Sequence, residues 1–186
     1  MGITKAEALK AVDRERGPVC EASDRIWDQP ETAFQEFYST DVLCELLEKE
    51  GFRVERNLAG IATAFSGTYG SGKPVVGILG EFDALSGLSQ ESESLEKTAL
   101  VDGAPGHGCG HNVIATCASG AFASLAKIFV EMGIAGEVRI IGTPAEEGGA
   151  GKAIMLERGG FDGVDFALMI HPTCGGESRN YINRNG

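Results

Sequence analysis

A thiol and an imidazole lie two residues apart in the glycine-rich stretch 106–112, which reads Gly-His-Gly-Cys-Gly-His-Asn. Because glycine allows backbone turns that other residues resist, Cys109 and His111 can direct their side chains into one small volume. Thiolate sulfur and neutral imidazole nitrogen are ligands that zinc and similar cations prefer. A metal site needs at least one more protein ligand. The candidates elsewhere in the chain are Glu146, Glu147 and His171.

A further acidic pair follows a predicted buried strand. Residues 74–80 form a continuous apolar run, which is typical of a strand covered on both faces, and Glu81 and Asp83 come directly after it. Two more predicted strands, 136–142 and 165–170, lead to the other candidate carboxylates and to the candidate histidine. Ligands of open α/β sheets bind beyond the carboxyl ends of the strands. We therefore expect these side chains to lie at one edge of a sheet.

The elements that must position these residues alternate between helix and strand. Apolar residues at helical spacing predict helices at 4–27, 42–50, 112–133 and 152–158. The first is predicted to break or kink at Gly17-Pro18, and the second to be capped by Ser39-Thr40-Asp41. The helix at 112–133 is apolar around most of its circumference and should be buried. This alternation predicts an α/β fold.

Composition narrows the class of protein. The 186 residues are 42% hydrophobic and 23% charged, which suits one globular domain. A net charge of −11 argues against a general binder of nucleic acid or of an anionic membrane. The five cysteines are scattered and odd in number, and residues 1–16 are charged, without the apolar core of a signal peptide. We expect a cytoplasmic protein without disulfides, in which no apolar run is long enough to span a membrane.

Several segments, taken in order along the chain, resemble the M20 metallopeptidase and amidohydrolase family, in the branch that cleaves N-acyl amino acids. The segments are 26–32 (Ile-Trp-Asp-Gln-Pro-Glu-Thr), 80–89 (Gly-Glu-Phe-Asp-Ala-Leu-Ser-Gly-Leu-Ser), 106–112, 146–149 and His171-Pro172. The resemblance implies a three-layer αβα catalytic domain of the zinc-peptidase type with a mixed, mostly parallel sheet. It also implies that residues 1–186 are the N-terminal portion of that domain, without the dimerisation domain.

The resemblance implies a pair of divalent ions, zinc or manganese. Cys109 is then the ligand that both ions share, His111 and His171 complete one ion, and Glu147 binds the other. Relatives supply a further distal histidine that the present chain lacks. We therefore expect one ion in this chain rather than two.

Two catalytic residues are implied by the same resemblance. Glu146 is the general base that takes a proton from water and passes it to the leaving amine, and Asp83 orients a metal ligand. The implied reaction is hydrolysis of the amide bond of a small N-acyl amino acid, and we expect it to be impaired in this chain. Asn112 departs from the aspartate that many relatives have at this position.

Other interpretations fit the residues one at a time. Cys109 could be a small buried apolar residue, Glu146 and Glu147 a solvated pair, and His171 the end of a strand. His107 is expected to be a hydrogen-bonded loop histidine rather than a ligand. The chain could also be a non-catalytic subunit or interaction module that associates with itself or with a partner and still binds one ion. A redox function of Cys109 is disfavoured, because no second cysteine lies at Cys-x-x-Cys spacing.

Overall fold

The computed structural model describes residues 3–173, so Cys174 and the polar stretch that follows it lie outside the described residues. Its centre is one five-stranded sheet with the strand order β1-β2-β4-β3-β5. The strands are β1 (Arg53–Arg56), β2 (Phe65–Ser71), β3 (Val75–Gly80), β4 (Gly136–Gly142) and β5 (Phe166–Met169). The three strands predicted to carry site residues at their ends are therefore adjacent in the sheet, as β4, β3 and β5.

The sheet is mixed, and most of its strands run in one direction. β2 is antiparallel to both β1 and β4, whereas β3 is parallel to β4 and to β5. Of the five strands formed by residues 3–173, β2 alone thus runs opposite to the others. Gly80 pairs with Gly142, and Leu79 pairs with Met169. Because of this register, the chain leaves β3, β4 and β5 at nearly the same level.

Helices cover both faces of the sheet. They are α1 (Lys5–Arg14), α2 (Arg16–Asp28), α3 (Phe37–Lys49), α4 (His111–Met132), the short α5 (Glu146–Gly149) and α6 (Gly151–Glu157). On one face, α3 contacts β1 and β2, and α4 contacts β3 and β4. Ile140 of β4 belongs to that core, whereas its neighbour Ile141 packs with Met155 of α6 on the other face. The predicted three-layer α/β architecture is confirmed.

Helix α4 is the central helix of the larger core. Its length and composition would suffice to cross a membrane, with a mean hydropathy of 1.8, which corrects the expectation that no apolar run is long enough. In the fold, 61% of this hydropathy window is buried, as predicted for the helix at 112–133. Gly80 of β3 allows the close approach, because a Cβ atom there would lie 2.9 Å from the Cα atom of Ala115.

Two helix boundaries differ from the prediction. The first helical region breaks at Glu15, so Pro18 lies in the first turn of α2, where its missing N–H group has no helical partner to lose. Helix α3 begins at Phe37 rather than at the predicted cap, because Glu31 accepts hydrogen bonds from the backbone N–H groups of Tyr38 and Ser39. A carboxylate seven or eight residues upstream thus caps this helix.

The long polar segment between β3 and α4 is closed at its base. Leu85 and Gly106 exchange two backbone hydrogen bonds, with N···O distances of 3.0 and 2.9 Å. Residues 86–105, all of them described, contain no helix or strand. The two ends of this excursion therefore lie together, and the stretch 106–112 starts beside the exit of β3.

We expect Gly80→Ala to destabilise the chain by about 1–3 kcal/mol, because the added methyl group would overlap the backbone of α4 at Ala115. Gly17→Ala is the matched control, since an added Cβ atom there meets nothing within 4 Å. Alanine also favours a helix over glycine, so the control should be neutral or slightly stabilising. Urea unfolding followed by circular dichroism measures both. Equal stability of the two variants would contradict this packing.

Candidate metal centre

The predicted site residues all lie at one edge of the sheet. β3 leads to Asp83, β4 leads to Glu146 and Glu147, and β5 leads to His171, while His111 is the first residue of α4. Cys109 precedes that helix in the glycine-rich stretch, where Gly110 has the positive φ of 78° that lets the chain turn into α4. Residues that are far apart in the sequence are therefore brought together by strand register and by the start of one helix.

Distances within the cluster are those of a ligand set. The Sγ atom of Cys109 is 3.4 Å from Nε2 of His171, and Nε2 of His111 is 3.8 Å from an oxygen of Glu147. Ligand atoms of Cys109, His111 and His171 lie within 4.8 Å of one another. A carboxylate oxygen of Glu146 lies within the same distance of His111. The structure thus brings all the predicted ligands and the predicted base together, while their individual roles remain predictions.

Asp83 joins two parts of this site. Its side chain is fully buried, with Oδ1 3.0 Å from Nδ1 of His111, while Oδ2 accepts a hydrogen bond of 2.8 Å from the backbone N–H of Glu147. Burial by itself would raise the pKa of Asp83, but these two hydrogen bonds outweigh it and lower the pKa. Asp83 therefore stays ionised and fixes both the imidazole ring and the turn that carries Glu147.

Both candidate imidazoles have the same orientation toward the centre. Nδ1 of His111 donates to Asp83, and Nδ1 of His171 donates to the carbonyl oxygen of Pro172 at 2.6 Å. In a neutral ring with a proton on Nδ1, the lone pair lies on Nε2. Each Nε2 atom faces the cluster. The hydrogen bonds at Nδ1 therefore select the tautomer that binds a cation through Nε2.

Negative charge dominates the electrostatics of the centre. Burial raises the pKa of Cys109 to about 11, and the nearby carboxylate of Glu147 adds to the effect. For His111, burial lowers the pKa, but Asp83 and the other carboxylates outweigh it and raise the pKa overall. These carboxylates disfavour a thiolate and favour a cation. Sulfur, imidazole nitrogen and carboxylate oxygen together fit zinc or manganese.

The turn that carries the predicted base is held from behind by Glu36. This carboxylate is fully buried, and its Oε1 atom accepts hydrogen bonds from the backbone N–H groups of Ala145 at 2.8 Å and of Phe34 at 3.0 Å. Ala145 has a positive φ of 57°, which is strained for a residue with a Cβ atom. Glu36 therefore stabilises the backbone conformation that directs Glu146 and Glu147 toward the ligands.

Two residues of this region were not among the predicted site residues. Glu36 gave no signal in the sequence, because its position in the fold depends on contacts with a distant loop. Glu81 was expected at the same edge of the sheet as Asp83, since it directly follows β3, but it was given no role; the structure buries it against His111. A carboxylate at that place could have been assigned to the site on its position alone.

His107 and Asn112 lie outside the ligand set. His107 is buried, and its Nε2 atom donates to the carbonyl oxygen of Ile26 at 3.2 Å, which confirms the predicted hydrogen-bonded loop histidine. The side-chain amide of Asn112 donates to the hydroxyl of Ser23 at 3.0 Å. It therefore ties the start of α4 to α2.

Comparison with known proteins agrees with the fold. No protein-family model matches the chain. The structure is similar to that of a dinuclear metal-binding peptidase of the M20 family from Bacillus subtilis, with a TM-score of 0.68 and 29% identity over 86% of this chain and 44% of that one. This likeness, together with a curated relative that is 46% identical, places the chain in the M20 family of metal-dependent peptidases and amidohydrolases.

That relative is a subunit of p-aminobenzoyl-glutamate hydrolase from Escherichia coli (strain K12), and the identity of 46% extends over 162 residues. The match covers 87% of this chain and 34% of the relative, so the chain spans about a third of the length of that protein. An aminobenzoyl-glutamate utilization protein from Klebsiella pneumoniae has the same fold, with a TM-score of 0.61 at 17% identity over 89% of this chain and 46% of that one.

We expect Asp83→Asn to weaken zinc binding by about 10- to 100-fold, as is usual for the partners of metal-ligating histidines. An asparagine amide cannot accept from both His111 and the Glu147 backbone with the strength of a carboxylate. Competition with a zinc-binding dye measures the affinity. Asp102→Asn, in the exposed excursion, is the control, and equal affinities of the two variants would contradict the role of Asp83.

The stability of the chain should depend on pH through His107. Burial lowers the pKa of His107 from 6.5 to about 4, so the unfolded state binds more protons between these values. This contribution to the free energy of unfolding is fully present above pH 6.5 and is lost as the pH falls toward 4. Its size is on the order of 3 kcal/mol. Urea titrations of metal-free protein should show this loss in the wild type but not in His107→Gln, and parallel pH profiles would contradict it.

Proposed function

We propose that the chain is the metal-binding part of an amidohydrolase that cleaves the amide bond of a small N-acyl amino acid, with p-aminobenzoyl-glutamate as the first substrate to test. The observation that carries this proposal is the pair of imidazoles whose Nε2 atoms face one cysteine and several carboxylates. The names of the M20 relatives support the reaction class, and the 46% identical relative supports the acyl-glutamate substrate.

Cys109, His111 and His171 hold one ion in this proposal, and Glu147 faces the position of a second. A bound zinc or manganese ion supplies a Lewis acid that polarises the substrate carbonyl and acidifies water. Among the described residues, Cys109 and Glu147 alone are left for the second position, and two ligands hold an ion weakly. We therefore expect about one tightly bound ion per chain.

Proton transfer is assigned to Glu146. Its carboxylate lies close to His111, where it can accept a proton from water and deliver it to the leaving nitrogen. Asp83 keeps its proton-free form and holds His111, while Glu36 holds the turn beneath Glu146. The work of the chain is thus to orient ligands and to move one proton.

The cellular setting is part of the proposal. Cys20, Cys44, Cys109 and Cys117 are free thiols, which suits the reducing cytoplasm. The 46% identical relative is named as a subunit, which supports a partner subunit or a homo-oligomer for this chain as well.

A second candidate function is a non-catalytic subunit, and the exposed strand β5 favours it. Phe166 and Leu168 of β5 are 61% and 54% exposed, and Ile170 just after the strand is 58% exposed, although such an apolar strand is typical of a sheet covered on both faces. No strand pairs with the outer edge of β5 within residues 3–173. Light scattering after size exclusion tests this function, because a monomer that is stable without metal would contradict it.

The metal and the reaction are tested together on the full 186-residue chain. After removal of metal by a chelator and reloading, elemental analysis should find about one zinc or manganese ion per chain, and Cys109→Ser should lower the affinity at least about tenfold. Cys117→Ser, whose exposed thiol lies on α4 outside the cluster, should match the wild type. Hydrolysis of p-aminobenzoyl-glutamate should be slow and metal-dependent.

Three results would contradict parts of the proposal: the first concerns the role of Cys109, and the other two concern the expected single ion and slow turnover. Equal metal content in the Cys109→Ser and Cys117→Ser variants would remove Cys109 from the ligands. Two tightly held ions, or rapid hydrolysis, would show that the described residues form a more complete site than the ligand count allows. N-acetyl-glutamate and an acylated amino acid without a side-chain carboxylate complete the substrate panel.

A further inference from the structure

We infer that Glu81 is a further ligand of the ion held by the two histidines, and that its carboxylate shifts the preference of the centre from zinc toward manganese. This inference rests on the proposed function in so far as it requires a bound divalent ion. It adds a residue to the ligand set that Cys109, His111 and His171 form in the proposal above.

The Glu81 carboxylate is buried and faces both candidate histidines. The side chain is 3% exposed, and its Oε2 atom lies 3.2 Å from Nε2 of His111 and 3.8 Å from Nε2 of His171. Ligand atoms of Glu81, His111 and Glu146 all lie within 4.8 Å of one another. One oxygen of Glu81 thus faces both imidazoles from the side of β3.

The three facing atoms are all hydrogen-bond acceptors when both imidazole rings are neutral. Both imidazoles donate through Nδ1, so in the neutral rings, the form that binds a cation, the Nε2 atoms carry lone pairs, and a carboxylate oxygen is also an acceptor. Neither Oε2 of Glu81 nor Nε2 of His111 has a hydrogen-bond partner within residues 3–173. Two buried acceptors, Oε2 of Glu81 and Nε2 of His111, that face each other and the more exposed Nε2 of His171 are unfavourable unless a cation lies between them. The arrangement therefore points to a ligand position for Glu81.

Lys152 determines how many oxygens Glu81 can offer. Its ammonium group, on α6, forms an ion pair with Oε1 of Glu81. Oε1 is thereby occupied, and Oε2 is the oxygen left for the ion. Lys152 thus fixes the carboxylate as a ligand through a single oxygen and offsets part of the negative charge around it.

The consequence is a change in metal preference. With Glu81, the ion held by the histidines has one sulfur, two nitrogens and one oxygen as donors. Carboxylate oxygen is a hard ligand that suits manganese, whereas sulfur and imidazole suit zinc. Removal of the Glu81 carboxylate should therefore weaken manganese binding more than zinc binding.

Glu81→Gln is the first test, and Glu157→Gln on α6 is its control, because it makes the same charge change at an exposed position. We expect Glu81→Gln to weaken manganese binding about tenfold or more and zinc binding by a smaller factor, as measured by calorimetric titration. In the cobalt-loaded protein, the visible ligand-field bands should change while the sulfur-to-cobalt absorption of Cys109 persists.

Glu81→Asp separates ligation from charge, since it keeps the carboxylate and draws it back by one methylene group. We expect it to lose manganese affinity nearly as much as Glu81→Gln. Wild-type affinity in Glu81→Asp, or equal affinities in Glu81→Gln and Glu157→Gln, would overturn the inference while the proposed function stands. No divalent binding by the wild type would instead overturn the proposed function, and circular dichroism of the metal-free variants shows that each is folded.

Discussion

The buried carboxylate of Asp83 is the contact on which the geometry of the centre depends. One of its oxygens holds the ring of His111 at the start of α4, and the other holds the backbone of Glu147 after β4. Asp83 itself follows β3, so three elements of the fold meet at one ionised group. Asp83 therefore fixes the start of the helix and the turn relative to each other.

This arrangement concentrates negative charge in a small buried volume. Asp83, Glu81 and Glu147 all lie within reach of one imidazole, and Lys152 is paired with one of them. Mutual repulsion and loss of solvent make such a cluster costly in the metal-free chain. Glu36 adds a further buried carboxylate on the other side of the turn. The fold therefore accepts a less stable metal-free state in return for a site that attracts divalent cations.

Much of the fold could be predicted from local patterns. The apolar runs predicted β3, β4 and β5 within one residue at each end, and the start and end of α4 were each predicted within one residue, because continuous or periodic apolar residues leave a direct trace in the sequence. The start of α3 was wrong, since its cap comes from Glu31 through a tertiary contact rather than from the residues just before the helix. The spacing of residues in the sequence does not reveal a tertiary contact of this kind.

The candidate ligands could be proposed from the sequence, but the residue that holds their turn in place could not. Ligand types at two strand ends indicated Glu147 and His171, and the glycine-rich stretch before α4 indicated Cys109 and His111. The structure brings the four side chains together, and their roles as ligands stay predictions. Glu36 could not be found, because nothing in the local sequence distinguishes a buried carboxylate from the exposed ones around it. Its partner is the amide of Ala145, more than a hundred residues away, and only the folded chain reveals the pair.

The hydrogen-bonded pair Leu85 and Gly106 has a consequence for how such a protein can diversify. It closes residues 86–105 into an excursion whose two ends are already fixed beside the metal ligands. Because the closure entropy of a surface loop changes slowly with its length, insertions and deletions in this excursion cost little as long as the pair is kept. Evolution can thus remodel the surroundings of the centre, and with them the choice of substrate, while the coordination geometry stays unchanged.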